Sequence, residues 1–431
     1  MGIVELDNVD FPFNCLPLHI ARQIWYSLKV RDRIILERVS RFWRSPNMPY
    51  DDISSLEVDV AYDNPQAWNW LITAMDRTGS FLRHLTIAGE HVKLVKVPDS
   101  IHLKIHERCP SLETLTISNL TTQLSILNYV GRSVQELSID FVNFQYQDGE
   151  ASEQQIAQKL KCFRKLSKLY FYLFYRTNRG VMPELSFPRL ERATWKGQLK
   201  PELEFFCLNS PLLLQLDISC SDYNTFRPVT GLSHLTELSL SGTKINTLEF
   251  AEICAACRQL ETVDVSFCSR LTGFTCLHHL NSLQTLMVQR CLSFNDDGIC
   301  SGLIGGNLKK LQAGHTSITH LGLRYLLQLN TKLQDITISA IKINPVLALT
   351  ELLSGEMLKM VRIEGPMSPY SIVPFLEKRK QLMKKQVDLP KLEIHIDEEI
   401  PEDISKFSTT AKVSLLEYSK LDWGLWSEAA N

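Results

Sequence analysis

The sequence predicts an α/β solenoid, a curved parallel sheet with helices on its outer side, preceded by a small all-α module. Two observations carry this reading. An apolar pattern of the form Leu-x-x-Leu-x-Leu returns along most of the chain on a nearly constant period. Ahead of it, residues 16–45 show helical apolar spacing instead.

The front stretch reads LPLHIARQIWYSLKVRDRIILERVSRFWRS. Pro17 suits a helix start, and Ile20, Ile24, Trp25 and Leu28 recur at helical intervals. A second apolar set follows in Ile34, Ile35, Leu36, Val39, Phe42 and Trp43. So short a segment cannot bury this much apolar surface alone. It must pack on the repeats, on another protein, or on both.

The repeat is clearest in the middle of the chain. Leu235-x-x-Leu238-x-Leu240, Leu260-x-x-Val263-x-Val265 and Leu283-x-x-Leu286-x-Val288 follow one another. Leu308-x-x-Leu311-x-Ala313, Leu333-x-x-Ile336-x-Ile338 and Leu358-x-x-Val361-x-Ile363 continue them. The third apolar positions, 240, 265, 288, 313, 338 and 363, are separated by 25, 23, 25, 25 and 25 residues. Alternate residues of a strand face opposite sides, so each spaced pair looks into one core. Looser matches run back through Leu213, Leu190, Leu166, Val134, Leu112 and Leu82 to a first strand at Ile53, and forward to Leu389 and Val413. That makes about fifteen strands.

The stretch ICAACRQLETVDVSFCSRLTGFTCLHH, residues 253–279, resembles a zinc site, with Cys254 and Cys257 in C-x-x-C spacing before Cys268, Cys276, His278 and His279. The repeat gives a different account. Cys268 and Cys291 fall three residues after the buried pair, where the chain turns from the sheet and a small apolar side chain fits. Cys257 takes another repeated slot, at a helix end. The cysteines are therefore read as packing residues, with no metal and no cofactor. Asp296 and Thr319 are read as helix N-caps, and His19, His102 and His106 as surface or capping histidines.

Composition narrows the function classes. Hydrophobic residues make up 44% and charged residues 22% of 431, an ordinary globular balance. A net charge of −2 argues against a phosphate-driven nucleic-acid binder. No apolar run is long enough to span a bilayer, and the N-terminus lacks a basic signal start, so no membrane role is expected. Eleven cysteines without compact spacing fit a reducing compartment, the cytoplasm or nucleus. No nucleotide, hydrolase or metalloprotease motif is present, so an enzyme is not expected.

The repeats resemble the cysteine-containing leucine-rich repeats. The front segment resembles the F-box, matching Leu16-Pro17, Ile20, Ile24-Trp25, Leu28, Asp32, Val39-Ser40 and Trp43-Arg44 in order and spacing. It departs at Ser40, where Cys is common, and at Arg33, where an apolar residue is usual. The order implied is an N-terminal extension (1–15), an F-box helical module (16–50), a leucine-rich-repeat solenoid (51–420) and a C-terminal cap (421–431). The resemblance implies the substrate-recognition subunit of an SCF-type cullin-RING ubiquitin ligase. Its F-box would dock a Skp-type adaptor and cullin scaffold through Leu16, Pro17, Ile20, Ile24, Leu28, Val39 and Trp43. Its repeats would hold a protein for ubiquitin-dependent degradation. The alternative is a repeat scaffold outside any ubiquitin ligase, the helical front serving as a cap.

For the substrate, the strand face opposite the buried pairs is mostly small or polar. Lys168, Tyr170 and Tyr172 stand out on one strand, and Arg192 and Lys196 on the next, with Asp140 and Asp217 on flanking strands. Tyr and Arg are enriched at binding hot spots, and Arg and Lys on a rigid sheet suit an acidic or phosphorylated partner. Two charged segments, the basic LEKRKQLMKK (376–385) and the acidic DEEIPED (397–403), read as a solvated helix and a loop.

Overall fold

Each strand expected from the repeat is present in the computed structural model, which describes residues 16–415 apart from short internal stretches, the longest being 174–180, 386–391 and 397–410. The extension 1–15, the acidic segment 397–403 and the tail 421–431 lie outside the described residues. The chain divides into two units, Met1–Arg189 and Leu190–Asn431.

The first unit opens with helices α1 (Leu18–Ser27) and α2 (Val30–Val39). Strands β1 (Ser55–Val60), β2 (His84–Gly89), β3 (Val95–Lys96), β4 (Thr114–Ser118) and β5 (Leu120–Gln123) follow. Then come β6 (Glu136–Tyr146), β7 (Gly149–Glu150), β8 (Lys168–Leu173) and β9 (Val181–Met182). Strands β1, β2, β4, β6 and β8 pair in parallel with the repeat residues in register: Leu56, Leu85, Leu115, Leu137 and Leu169 form one row. Val58, Ile87, Ile117, Ile139 and Phe171 form the next. All ten are buried, so the two rows are the core. Alternation does this directly, because every second residue of a strand shares a face. The segments between strands form helices Gln66–Thr78, Asp99–Arg108, Ile126–Val130 and Glu153–Leu160. A shorter parallel ladder, β3–β5–β6, continues beyond the main one. The chain bends into it through Asn119 and Phe141, both with φ 54°.

The second unit holds β10 (Arg192–Lys196), β11 (Lys200–Pro201), β12 (Gln215–Asp217), β13 (Glu237–Ser239), β14 (Thr262–Asp264) and β15 (Thr285–Met287). It continues with β16 (Lys310–Ala313), β17 (Asp335–Ser339), β18 (Met360–Glu364), β19 (Leu392–Ile396) and β20 (Ala411–Leu415). From β12 onward, and with β10 ahead of them, the strands pair in parallel in chain order. Each unit thus has the coil of a leucine-rich-repeat solenoid: a strand, a turn, a helical or 3-10 return, and the next strand in parallel. Phe250, Phe274 and Phe294 pack edge to face in successive coils, at 6.3 and 5.0 Å between ring centres. Among the described residues the turn recurs in one backbone form. Cys220, Gly242, Phe267, Arg290, His315 and Gly365 each follow the last core residue of their strand by two positions, with φ between 53° and 99°.

Cys257, Cys268 and Cys291 occupy the repeat slots the period assigns them. The Cys268 thiol donates to Leu240 O at 3.1 Å, and the Cys291 thiol to Val265 O at 3.1 Å. Thr316 fills the equivalent slot and donates to Ala313 O at 2.8 Å. Cys257 closes the helix Thr247–Ala256 and reaches Val229 O and Leu232 O at 3.5 and 3.4 Å. Burial pushes the Cys257 and Cys268 thiols up to about 11, and those of Cys207 and Cys291 up to about 12. The Cys254 thiol is raised as well, while that of Cys276, hydrogen-bonded to Cys254, is lowered. Among the described residues no three His, Cys, Asp or Glu side chains are grouped to hold a metal ion.

Two smaller expectations are corrected. Asn295, not Asp296, caps the helix Asp296–Gly302, accepting from Gly298 N. The Asp296 carboxylate instead accepts from Thr319 N and Oγ1 in the next coil, at 2.8 and 2.6 Å. His102 is buried rather than on the surface, because it faces inward from its helix and meets Thr122 Oγ1 at 2.8 Å.

Candidate docking surfaces

The helical front is built round three rings. Trp25 from α1 stacks on Trp43 at 5.9 Å and meets Tyr50 edge-on at 5.2 Å. Its indole donates to Pro49 O at 2.7 Å, so the polar edge of a buried ring is satisfied. Arg33 occupies the slot where an apolar residue was expected. Its guanidinium lies within 5.6 to 5.8 Å of the Trp25, Tyr26 and Tyr50 rings, and donates to Leu28 O and Tyr26 O. Glu37, buried on α2, accepts from Tyr50 at 3.1 Å and from Arg77 of the first repeat helix at 3.0 Å. Burial and that carboxylate push the Tyr50 phenol far above its ordinary range.

The seven residues assigned to adaptor docking divide by exposure. Pro17 is exposed and Val39 is 67% exposed; Leu16, Ile20, Ile24 and Leu28 are half-buried. Trp43 is 2% exposed, so the Trp25 stack holds it inside the module, where it supports the surface from beneath. Ile35, counted from sequence only in the apolar set of α2, is 47% exposed one turn before Val39. Residues four apart share a helix face, so Ile35 and Val39 present one apolar patch. Leu18 of α1 is 42% exposed. Periodicity marks such a face as apolar but cannot tell which side the rest of the chain covers.

The strand-face residues also have partners. In the first unit Lys168 stands opposite Glu136 in the β6–β8 register and bonds it at 2.5 Å. Tyr170 donates to Asp140 at 3.5 Å, and the Tyr172 ring lies 5.8 Å from Phe141. In the second unit Arg192 is exposed on β10, and Lys196 is 3.7 Å from Asp217. Of the two flanking aspartates, Asp217 thus faces a basic group, Lys196, and Asp140 engages a tyrosine. The basic segment 376–385 is helical, within Val373–Lys385, with Lys378, Lys380 and Lys384 exposed and Arg379 buried. No helix among the described residues is long and apolar enough to cross a membrane.

The chain matches no protein-family model, and no curated protein matches it. Solved structures do resemble it. TLR13 in complex with ssRNA13 aligns at a TM-score of 0.50 and 15% identity, over 78% of this chain and 50% of that one. A leucine-rich-repeat protein of Leptospira interrogans aligns at 0.42 and 13% identity, over 85% and 90%. The yeast Rad7 and Elc1 complex aligns at 0.44 and 13% identity, over 68% and 73%. At these identities the likeness is one of fold. The TLR13 alignment and the in-register parallel ladders agree on a leucine-rich-repeat solenoid.

Proposed function

We propose that this chain is the non-catalytic substrate receptor of an SCF-type ubiquitin ligase, acting in the cytoplasm or nucleus. The observation that carries the reading is the apolar patch of Ile35 and Val39 on α2. The module's other side is already closed by Trp25, Trp43, Tyr50 and the Arg77–Glu37 bond, so intramolecular packing does not account for that patch. An exposed apolar patch on a helix that carries the F-box motif suits a Skp-type adaptor, which would link the chain to a cullin. The repeat units then hold a protein substrate, with Lys168, Tyr170 and Tyr172 offered by one unit and Arg192 and Lys196 by the other. Affinity purification of the tagged full chain tests the reading: a Skp-type adaptor and a cullin are expected in stoichiometric amounts, and their absence overturns it.

A second reading rests on a different contact. The Arg77–Glu37 and Tyr50–Glu37 bonds fasten α2 to the first repeat helix and the segment before it. That is what a cap on a repeat scaffold would need. A chain that purifies without an adaptor yet captures a partner through its repeats favours this scaffold reading.

A further inference from the structure

Four cations of the second unit gather round one loop. Lys196 ends β10 and Lys200 begins β11; Lys244 and Arg270 follow the strand ends of the next coils. Between them runs the loop 219–224, after β12. Lys244 is 3.0 Å from Asp222, and the Lys200 ammonium lies 4.7 Å from the centre of the Tyr223 ring. Lys244, Lys200 and Arg270 all hold the Asp222 carboxyl below its usual range, Lys244 by direct hydrogen bond. Lys196 bears on Cys220 in the same loop.

Three carboxylates stand near these cations: Asp222 pairs with Lys244, Asp217 lies 3.7 Å from Lys196, and Asp264 is engaged elsewhere. Asp217 accepts from Ser219 N and Oγ at 3.0 and 2.5 Å. Asp264 accepts from Ser266 N at 2.9 Å and from Ser239 Oγ at 3.3 Å, and burial raises its pKa, the opposite of what a cation contact would do. Two pairing carboxylates stand against four cations, so positive charge is left over. At Lys200 burial lowers the pKa, Asp222 offsets part of that and Lys244 adds to it, and a further anion would favour the charged form.

We infer that Lys196, Lys200, Lys244 and Arg270, set round the loop 219–224, form the docking site for an acidic segment of a partner protein. The inference rests on the receptor reading and deepens it by centring the anionic subsite on Lys200 and Arg270 at this strand-end edge, since on the strand face Lys168 already has Glu136 and Lys196 has Asp217. Its chemistry is that of a clustered carboxylate or phosphoserine side chain meeting ammonium and guanidinium donors.

The test uses the full chain with random twelve-residue peptide pools fixed at the centre as phosphoserine, glutamate or serine. The acidic pools should be retained over the serine pool. Lys200→Glu with Lys244→Glu should reduce that retention by at least about tenfold. Lys309→Glu with Lys359→Glu, an equal charge change at exposed lysines of other coils, should leave it nearly unchanged. Lys200→Gln with Lys244→Gln replaces the first variant if circular dichroism shows it misfolded. Equal retention of all pools, equal loss in both charge-reversal variants, or stronger displacement of peptide by an oligouridylate than by acidic peptide would each overturn the inference. Adaptor capture is scored separately, so a failed receptor reading and a failed peptide site give different results.

Discussion

Arg33 and Asp52 bind each other across the boundary between the interior of the helical module and its surface. Both terminal guanidinium nitrogens meet both carboxylate oxygens at 2.5 Å, with Arg33 1% exposed and Asp52 32% exposed. The two partners therefore differ in what each loses when the other is removed. Asp52→Ala leaves a buried guanidinium with only Leu28 O and Tyr26 O as acceptors, a loss of about 3 kcal/mol. Arg33→Met leaves a carboxylate that can turn to water and fills the slot with an apolar chain, at about 1 kcal/mol. Urea unfolding followed by tryptophan fluorescence should rank Asp52→Ala as the more destabilising. The reverse order would mean that the arginine acts by filling space rather than by charge.

The adaptor patch gives a second prediction. Ile35→Asp with Val39→Asp should abolish capture of a Skp-type adaptor and leave the melting temperature within a few degrees, because both side chains are open to solvent. A charge in a desolvated helical interface costs several kcal/mol, enough to erase micromolar binding. Ile20→Asp with Ile24→Asp changes half-buried positions and should lower both capture and stability. Adaptor retention by the first variant would exclude this face as the contact.

The contrast between the repeats and the front module shows what a sequence discloses. The main strands were legible because one buried pair recurs in each coil, and a period seen many times corrects for weak single matches such as Leu190-x-x-Ala193-x-Trp195. The ladder β3–β5–β6 was not, since strands as short as Val95–Lys96 have no alternation to read. Arg33 was illegible for another reason: its carboxylate lies 19 residues away, and only the tertiary fold brings them together. Burial side was the hardest to read. Trp43 and Ile35 belong to the same apolar set, yet one stacks under Trp25 and the other faces outward. The strand face had the same weakness, because the pattern shows Lys168 pointing out but not that Glu136 answers it across the register.

The cysteine slots predict stability effects without metal. Cys268→Ala or Cys291→Ala removes a buried sulfur and one of the two donors to Leu240 O or Val265 O, whose other donors are Thr243 N and Cys268 N, a loss of about 1–2 kcal/mol each. Melting should be unchanged by chelator, and elemental analysis should give well under one zinc per chain. Thiol labelling of the native protein should be fast at the exposed Cys162, Cys220 and Cys300 and slow at the buried cysteines. Stoichiometric zinc whose removal melts the protein would restore the metal reading of residues 253–279.

His102 should make the first unit acid-sensitive. It is 3% exposed, its Nε2 meets Thr122 Oγ1 at 2.8 Å, and burial lowers its pKa below 6.5. Asp99, 3.8 Å from Nδ1, pulls the other way, but that carboxylate is 83% exposed and burial dominates. The sign follows from linkage. The unfolded chain takes up the His102 proton near pH 6.5 while the folded chain resists it, so protonation favours unfolding. Stability should be level above about pH 7, and should fall as pH drops through 6.5 until the folded histidine also titrates. His395 in the second unit is shifted in the same direction, so the wild-type slope alone does not identify the residue. The comparison with His102→Gln does, since glutamine can still bond Thr122 but takes up no proton. Melting temperatures between pH 8 and pH 5 should show a shallower acid slope for the variant. Parallel curves for the two proteins would remove His102 as the cause.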